Sequence, residues 1–146
     1  MKLHQISVFL ENKPGQLKTA CDRLAEAGLN MLTLTLADTK NFGILRVILQ
    51  DWQRGEEILK QAGFAVNVAE VLAVEIPDRP GGLADILGPV EAAGLNLEYM
   101  YAFTFDRGGK AVMILRFNDV DAASAALKKA GINVVESVEI YARMEK

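Results

Sequence analysis

Two loops of one kind stand 66 positions apart in this chain: Glu11-Asn12-Lys13-Pro14-Gly15-Gln16-Leu17 and Pro77-Asp78-Arg79-Pro80-Gly81-Gly82-Leu83. A repeat at a fixed offset constrains the fold more than any lone motif, because one structural unit has then been built twice. At this offset Lys13–Asn30 lies over Arg79–Asn96, matching at Pro, Gly and Leu and again at Ala-Gly-Leu-Asn. Gly43–Leu49 lies over Ala111–Phe117 once the residues around Arg107–Lys110 are read as an insertion, and Gly63–Val68 lies over Gly131–Glu136. The chain therefore reads as two copies, residues 1–69 and 70–146. No Pro-, Gly- or Ser-rich linker parts them, and Phe64–Pro77 runs through the boundary as one apolar stretch.

Each copy has the same order of elements. In Lys2–Leu10 the apolar Ile6, Val8 and Leu10 recur at period two, the signature of a half-buried strand. A helix is expected from Pro14, where a missing N–H costs nothing, with Leu17, Ala20, Cys21, Leu24 and Gly28 along one face. Asn30–Asp38 and Gly43–Gln50 then make a hairpin, a second helix covers about Trp52–Ala62, and Phe64–Val71 closes the unit. The second copy repeats this with strands near Val71–Ile76, Asn96–Phe105, Ala111–Phe117 and Ile132–Tyr141. Its helices are expected near Gly81–Ala93 and Val120–Ala130, with Leu83, Ile86, Leu87 and Val90 as the buried stripe. The order βαββαβ folds most simply as an antiparallel sheet with both helices on one face. The fold class is thus α+β: two tandem ferredoxin-like units.

Composition removes several classes of function. A net charge of -3 and a pI near 5.2, with Lys and Arg scattered, provide no basic field for nucleic acid. No run approaches the roughly 20 apolar residues of a membrane span, and the start lacks a signal-peptide core, so a cytoplasmic protein is expected. One cysteine, Cys21, and one histidine, His4, make no metal set, and no cofactor is expected. Cys21 reads as core and His4 as strand surface. No nucleophile elbow, Cys–His pair or P-loop supports catalysis, and the chain is not expected to be an enzyme.

The loops themselves fit an amino acid. They join a strand to a helix, where free N–H groups and the positive end of the helix dipole suit a carboxylate. Gly15 and Gly81 leave the backbone open to a ligand, and Asn12 and Asp78 either accept from an ammonium or simply cap the helix. Asn30 and Asn96 open the second strands with side-chain amides that bind a ligand or satisfy local backbone. The aromatic run Tyr99, Tyr101, Phe103 and Phe105 is either sheet packing or a wall for a ligand side chain. Arg46 and Arg116 recur at matching strand positions within apolar runs, where an ion pair competes with carboxylate recognition.

Strand, Pro-Gly-x-Leu loop, amphipathic helix, Ala-Gly-Leu-Asn and hairpin, all found twice, resemble the ACT domain family of amino-acid-sensing regulatory domains. More narrowly, the chain resembles free-standing bacterial proteins made of two tandem ACT domains without a catalytic domain. It implies effector binding where two ACT domains meet, contacted by the first loop and by the Asn near the second strand. Carried onto this chain, the resemblance implicates Asn12, Pro14, Gly15, Gln16, Leu17 and Asn30 in copy one. In copy two it implicates Asp78, Pro80, Gly81, Gly82, Leu83 and Asn96. Asp78 in place of Asn12 makes the two sites chemically unequal. The function expected is allosteric regulation: a free amino acid binds, the chain forms a homo-oligomer such as a dimer, and a separate enzyme responds. A ligand-free docking module built on the same fold is the alternative.

Overall fold

The computed structural model describes residues 2–38, 41–103 and 110–144. The chain divides into an N-terminal unit, His4–Ala69, and a C-terminal unit that runs from Glu70 and also takes in Lys2 and Leu3. The N-terminal unit contains β1 (Leu3–Glu11), α1 (Gln16–Glu26), β2 (Thr33–Asp38), β3 (Phe42–Ile48) and α2 (Trp52–Gln61). One strand, β4 (Ala65–Pro77), supplies residues to both units. The C-terminal unit continues with α3 (Gly82–Ala92), β5 (Leu97–Ala102), β6 (Lys110–Phe117), α4 (Val120–Lys129), β7 (Val134–Val135) and α5 (Ser137–Met144).

Both sheets have the antiparallel order that a βαββαβ unit predicts. It is β2-β3-β1-β4 in the N-terminal unit and β5-β6-β4-β7 in the C-terminal one. Alternation places Ile6, Val8 and Leu10 of β1 on one face with Leu45 and Val47 of β3. There they pack with Ala20 and Leu24 of α1 and Leu59 of α2 into the first core. Leu72, Val74 and Ile76 of β4 do the same with Leu115 and Phe117 of β6 and with Ile86, Val90, Ala123 and Leu127 of α3 and α4. Gly55 sits in α2 where the helix approaches the sheet so closely that a Cβ would collide with Leu49 Cδ1.

Three expectations needed correction. The first loop helix does not begin at its proline: α1, expected from Pro14, starts at Gln16, whereas α3 starts at Gly82, within a residue of the Gly81 expected for it. Gln16 N–H donates to Lys13 O at 3.5 Å and Gly82 N–H to Arg79 O at 3.0 Å, which closes a four-residue turn in each loop. With φ of 91° at Gly15 and 85° at Gly81, each Pro-Gly occupies the two central positions of a type II turn, and its glycine is the residue before the helix. The last strand expected at Ile132–Tyr141 is cut to Val134–Val135, and α5 follows. Helical spacing buries Ser137 and Ile140 together and leaves Val138 61% exposed, whereas strand alternation would have set Val138 beside Ile140. Finally, the register places Val47 opposite Ile6 and Leu115 opposite Leu72, so Arg46 corresponds to Ile114 and not to Arg116. Phe105 and the inserted Arg107-Gly108-Gly109 lie outside the described residues.

Candidate functional site

Building the loops from their residues shows what each presents. In the first, Asn12 N–H is tied to Asn41 O at 3.1 Å, Lys13 N–H to Glu11 O at 2.8 Å, and Thr19 N–H to Gly15 O at 2.9 Å. The N–H groups of Leu17 and Lys18 find no carbonyl among the described residues, as the first turn of a helix requires. The Asn12 side chain caps nothing, because the left-handed Gly15 holds the N-cap position and makes no side-chain bond there. Side-chain caps do occur, but on the second helix of each copy: Asp51 accepts from Arg54 N–H at 3.3 Å and Asp119 from Ala122 N–H at 3.0 Å.

This loop overlooks a cavity of about 160 Å³ lined by Leu10, Glu11, Asn12, Lys13, Gln16, Leu17, Leu36 and Gly43. Sheet register explains the floor. Leu10 faces Gly43 across β1 and β3, and Leu36 stands on the same face of the edge strand β2. Leu17, expected inside the helical stripe, is 38% exposed here. Lys13 Nζ pairs with Glu11 at 2.8 Å, placing an ammonium and a carboxylate side by side in this lining.

The second loop has the same backbone and different occupants. Asp78 is exposed and, like Asn12, caps nothing. Arg79 folds back over its own turn, donating from Nη1 to Pro80 O at 3.2 Å and from Nη2 to Asp85 Oδ2 at 2.8 Å. Gly82 stands where Gln16 stands in the first copy, and a Cβ there would overlap the Pro77 carbonyl oxygen. Leu83 is half-buried against the C-terminal core. A cavity of about 370 Å³ borders this loop, lined by Pro77 and Asp85 together with Ile86, Pro89 and the stretch Ala130–Asn133.

The two asparagines lie at the far ends of their sheets. Glu11 pairs with Phe42 and Thr33 with Ile48, so the start of β2 is six residues along β3 from the loop, about 20 Å at 3.4 Å per residue. Asn30, ahead of β2, is thus remote from Asn12, Pro14 and Gly15 of its own copy. Asn96 is likewise remote from Asp78, Pro80 and Gly81. Backbone pairing ties Asn96 to Asn118, whose Oδ1 accepts from Asn96 N–H at 3.3 Å while its own N–H donates to Asn96 O at 3.3 Å.

The remaining candidates mostly have partners of their own. Tyr99 and Tyr101 share the face of β5 that points away from α3 and α4, and Phe103, just past the end of that strand, is buried. Arg116 approaches Glu98 at 3.5 Å and donates to Glu70 O at 2.9 Å. His4 stacks on Trp52 with ring centroids 4.3 Å apart, and Cys21 is half-buried. Sequence reasoning missed Leu36, Gly43, Thr19 and the pair Arg79 and Asp85. The signals were there, since a glycine inside a strand marks close approach and a carboxylate in a first helical turn marks an occupied dipole. Among the described residues, no helix is long and apolar enough to cross a membrane.

Comparison with known proteins agrees with this architecture. Protein BT0572 from Bacteroides thetaiotaomicron is 35% identical, with a TM-score of 0.88 over 97% of this chain and 96% of that one. The regulatory subunit of aspartate kinase from Thermus thermophilus is 16% identical, with a TM-score of 0.65 over 89% of this chain and 93% of that one. The corresponding subunit from Thermus flavus is 17% identical, with a TM-score of 0.63 over 90% and 94%. At those two identities the likeness is one of fold. Among curated proteins none matches. The profile of one family, described as an ACT domain pair, matches residues 1–144, and the chain belongs to that family of regulatory domains.

Proposed function

We propose that this ACT domain pair is a small-molecule sensor, that its ligand is a free amino acid, and that it regulates a separate protein. The observation that carries the reading is the pair of type II turns, each of which delivers two unpaired helix N–H groups to a strand end beside an uncapped Asn12 or Asp78. Such N–H groups suit an α-carboxylate, and the polar side chain beside them suits an α-ammonium. A ligand that touches both a turn and an asparagine of the Asn30 or Asn96 kind needs two ACT units, since one unit holds them about 20 Å apart. A second copy of the chain is a natural source of such a unit, which ties binding to assembly. A ligand held across units favours one arrangement of them, with coupling of about 1–3 kcal/mol in typical allosteric systems.

Thermal shift with the twenty amino acids at millimolar concentration, followed by calorimetric titration of any hit, tests this reading. Selective stabilisation, lost in Asn12→Ala or Asp78→Ala, is the expected result. Those substitutions remove no helix cap, so the folded protein remains available for the comparison. A flat panel on folded protein rejects free amino acids as the ligand. The alternative, a ligand-free docking module, draws on the exposed Phe9, Leu34, Leu36 and Phe42 of the N-terminal unit.

A further inference from the structure

The two copies differ in a way that bears on how many ligands one chain holds. We propose that each chain takes one amino acid, that the cavity behind the first loop receives its aliphatic side chain, and that the second loop is closed by its own Arg79 and Asp85. The inference rests on the amino-acid-sensor reading above.

Three observations converge. First, the cavity of about 160 Å³ has Leu10, Leu17 and Leu36 on one part of its lining, opposite the polar loop residues, and a glycine, Gly43, in its floor, while the corresponding strand position in the second copy is Ala111. Its volume is about half the 300 Å³ at which pockets for drug-sized ligands begin, a size suited to a side chain rather than a whole cofactor. Tyr99, Tyr101 and Phe103 take no part in it. Second, the first turn of α1 holds no acidic residue, and its fourth position is Thr19, whose hydroxyl donates to Gly15 O at 2.8 Å. The equivalent position in α3 is Asp85, an acidic residue in the first turn whose carboxylate is ion-paired with Arg79 at 2.8 Å. Asp78 stands where the first copy has neutral Asn12, so the two loops offer a ligand different charges. Third, Gly82 is pressed against the Pro77 carbonyl so tightly that no Cβ fits, whereas the first loop admits Gln16, whose side chain joins the lining of its cavity.

Calorimetric stoichiometry with L-valine, L-leucine, L-isoleucine, L-methionine, L-phenylalanine and L-aspartate provides the test. One equivalent per chain is expected, with an aliphatic amino acid bound at least tenfold more tightly than L-phenylalanine or L-aspartate. Thr19→Asp, which gives the first copy the carboxylate of the second, should abolish binding, and so should Leu36→Trp, which fills the cavity from an exposed edge. Arg79→Ala should keep the one equivalent and its affinity. Two equivalents per chain, loss of binding in Arg79→Ala, retention in both Thr19→Asp and Leu36→Trp, or a preference for L-phenylalanine or L-aspartate overturns the inference while the sensor reading stands. No binding of any amino acid by the unaltered protein overturns both.

Discussion

At the scale of single residues, the repeated Pro-Gly turns show how glycines that look alike carry different loads. Gly15 needs its left-handed φ of 91° but has open space around it, so Gly15→Ala should cost only the conformational penalty, about 1–2 kcal/mol. Gly82 has no positive φ, yet an added Cβ would strike the Pro77 carbonyl, which belongs to backbone and cannot swing away. Gly82→Ala should therefore destabilise by about 2–3 kcal/mol, at the upper end of overpacking effects. Urea denaturation of the two variants ranks them, and a smaller loss in Gly82→Ala than in Gly15→Ala would contradict this account of the second loop. The same distinction separates what the sequence makes legible from what it hides. Period-two and helical spacing revealed Ile6, Val8, Leu10, Ile86 and Val90 as core, because burial follows from pattern alone. The role of Gly82 was hidden because it depends on how closely two backbone segments approach, and no local spacing encodes that distance.

At the scale of elements, the helices and most strands follow from periodicity, and the departures come from ends. Asp51 and Asp119 act as caps, so Asp51→Ala should cost about 1 kcal/mol, while Asn12→Ala should leave folding stability nearly unchanged in the absence of ligand. Equal losses in both variants, measured by chemical denaturation, would contradict the cap assignment. The C-terminal segment was misread as a strand because Val134, Val135, Val138, Ile140 and Tyr141 are all β-formers, and propensity yielded to the burial of Ile140 by helical spacing. That helix carries a titration signature. Burial pushes the Tyr141 phenol above its ordinary value, so the native state holds this proton more tightly than the unfolded chain does. The resulting stability is complete below the unfolded value of about 10 and is lost as pH rises through the higher native one. Lys2, raised chiefly by Asp121 and then by Glu70, weakens over the same alkaline range, so the difference between proteins isolates the phenol. Melting temperatures from pH 8 to 11 should fall less steeply in Tyr141→Phe than in the unaltered protein. Parallel curves would show that the phenol contributes nothing.

At the scale of the whole molecule, one sequence unit has been used twice to build two cores that share no residue. One gathers Ile6, Val8, Leu24, Leu45 and Leu59, and the other Leu72, Val74, Ile86, Leu115 and Leu127. Duplication explains why the fold was so legible, since each copy confirmed the element order of the other. The sites were less so, because duplicated loops have diverged at Gln16 and Gly82, Thr19 and Asp85, and Asn12 and Asp78, where chemistry rather than packing decides. The divergence leads to a prediction that joins folding to binding. Leu59→Ala and Leu127→Ala each empty a fully buried position, one per core, and each should cost about 2–5 kcal/mol. Hydrogen exchange should place the loss in α1, α2 and β3 for the first variant and in α3, α4 and β6 for the second. An amino acid bound behind the first loop stabilises whatever must be folded to hold it, by about 2.7 kcal/mol at a hundred times its dissociation constant. With the aliphatic amino acid that binds best, protection should return to the N-terminal helices of Leu59→Ala and leave the C-terminal helices of Leu127→Ala exchanging as before. Recovery of both variants to the same degree would mean that the ligand draws on both copies, and that the closed second loop is part of the site after all.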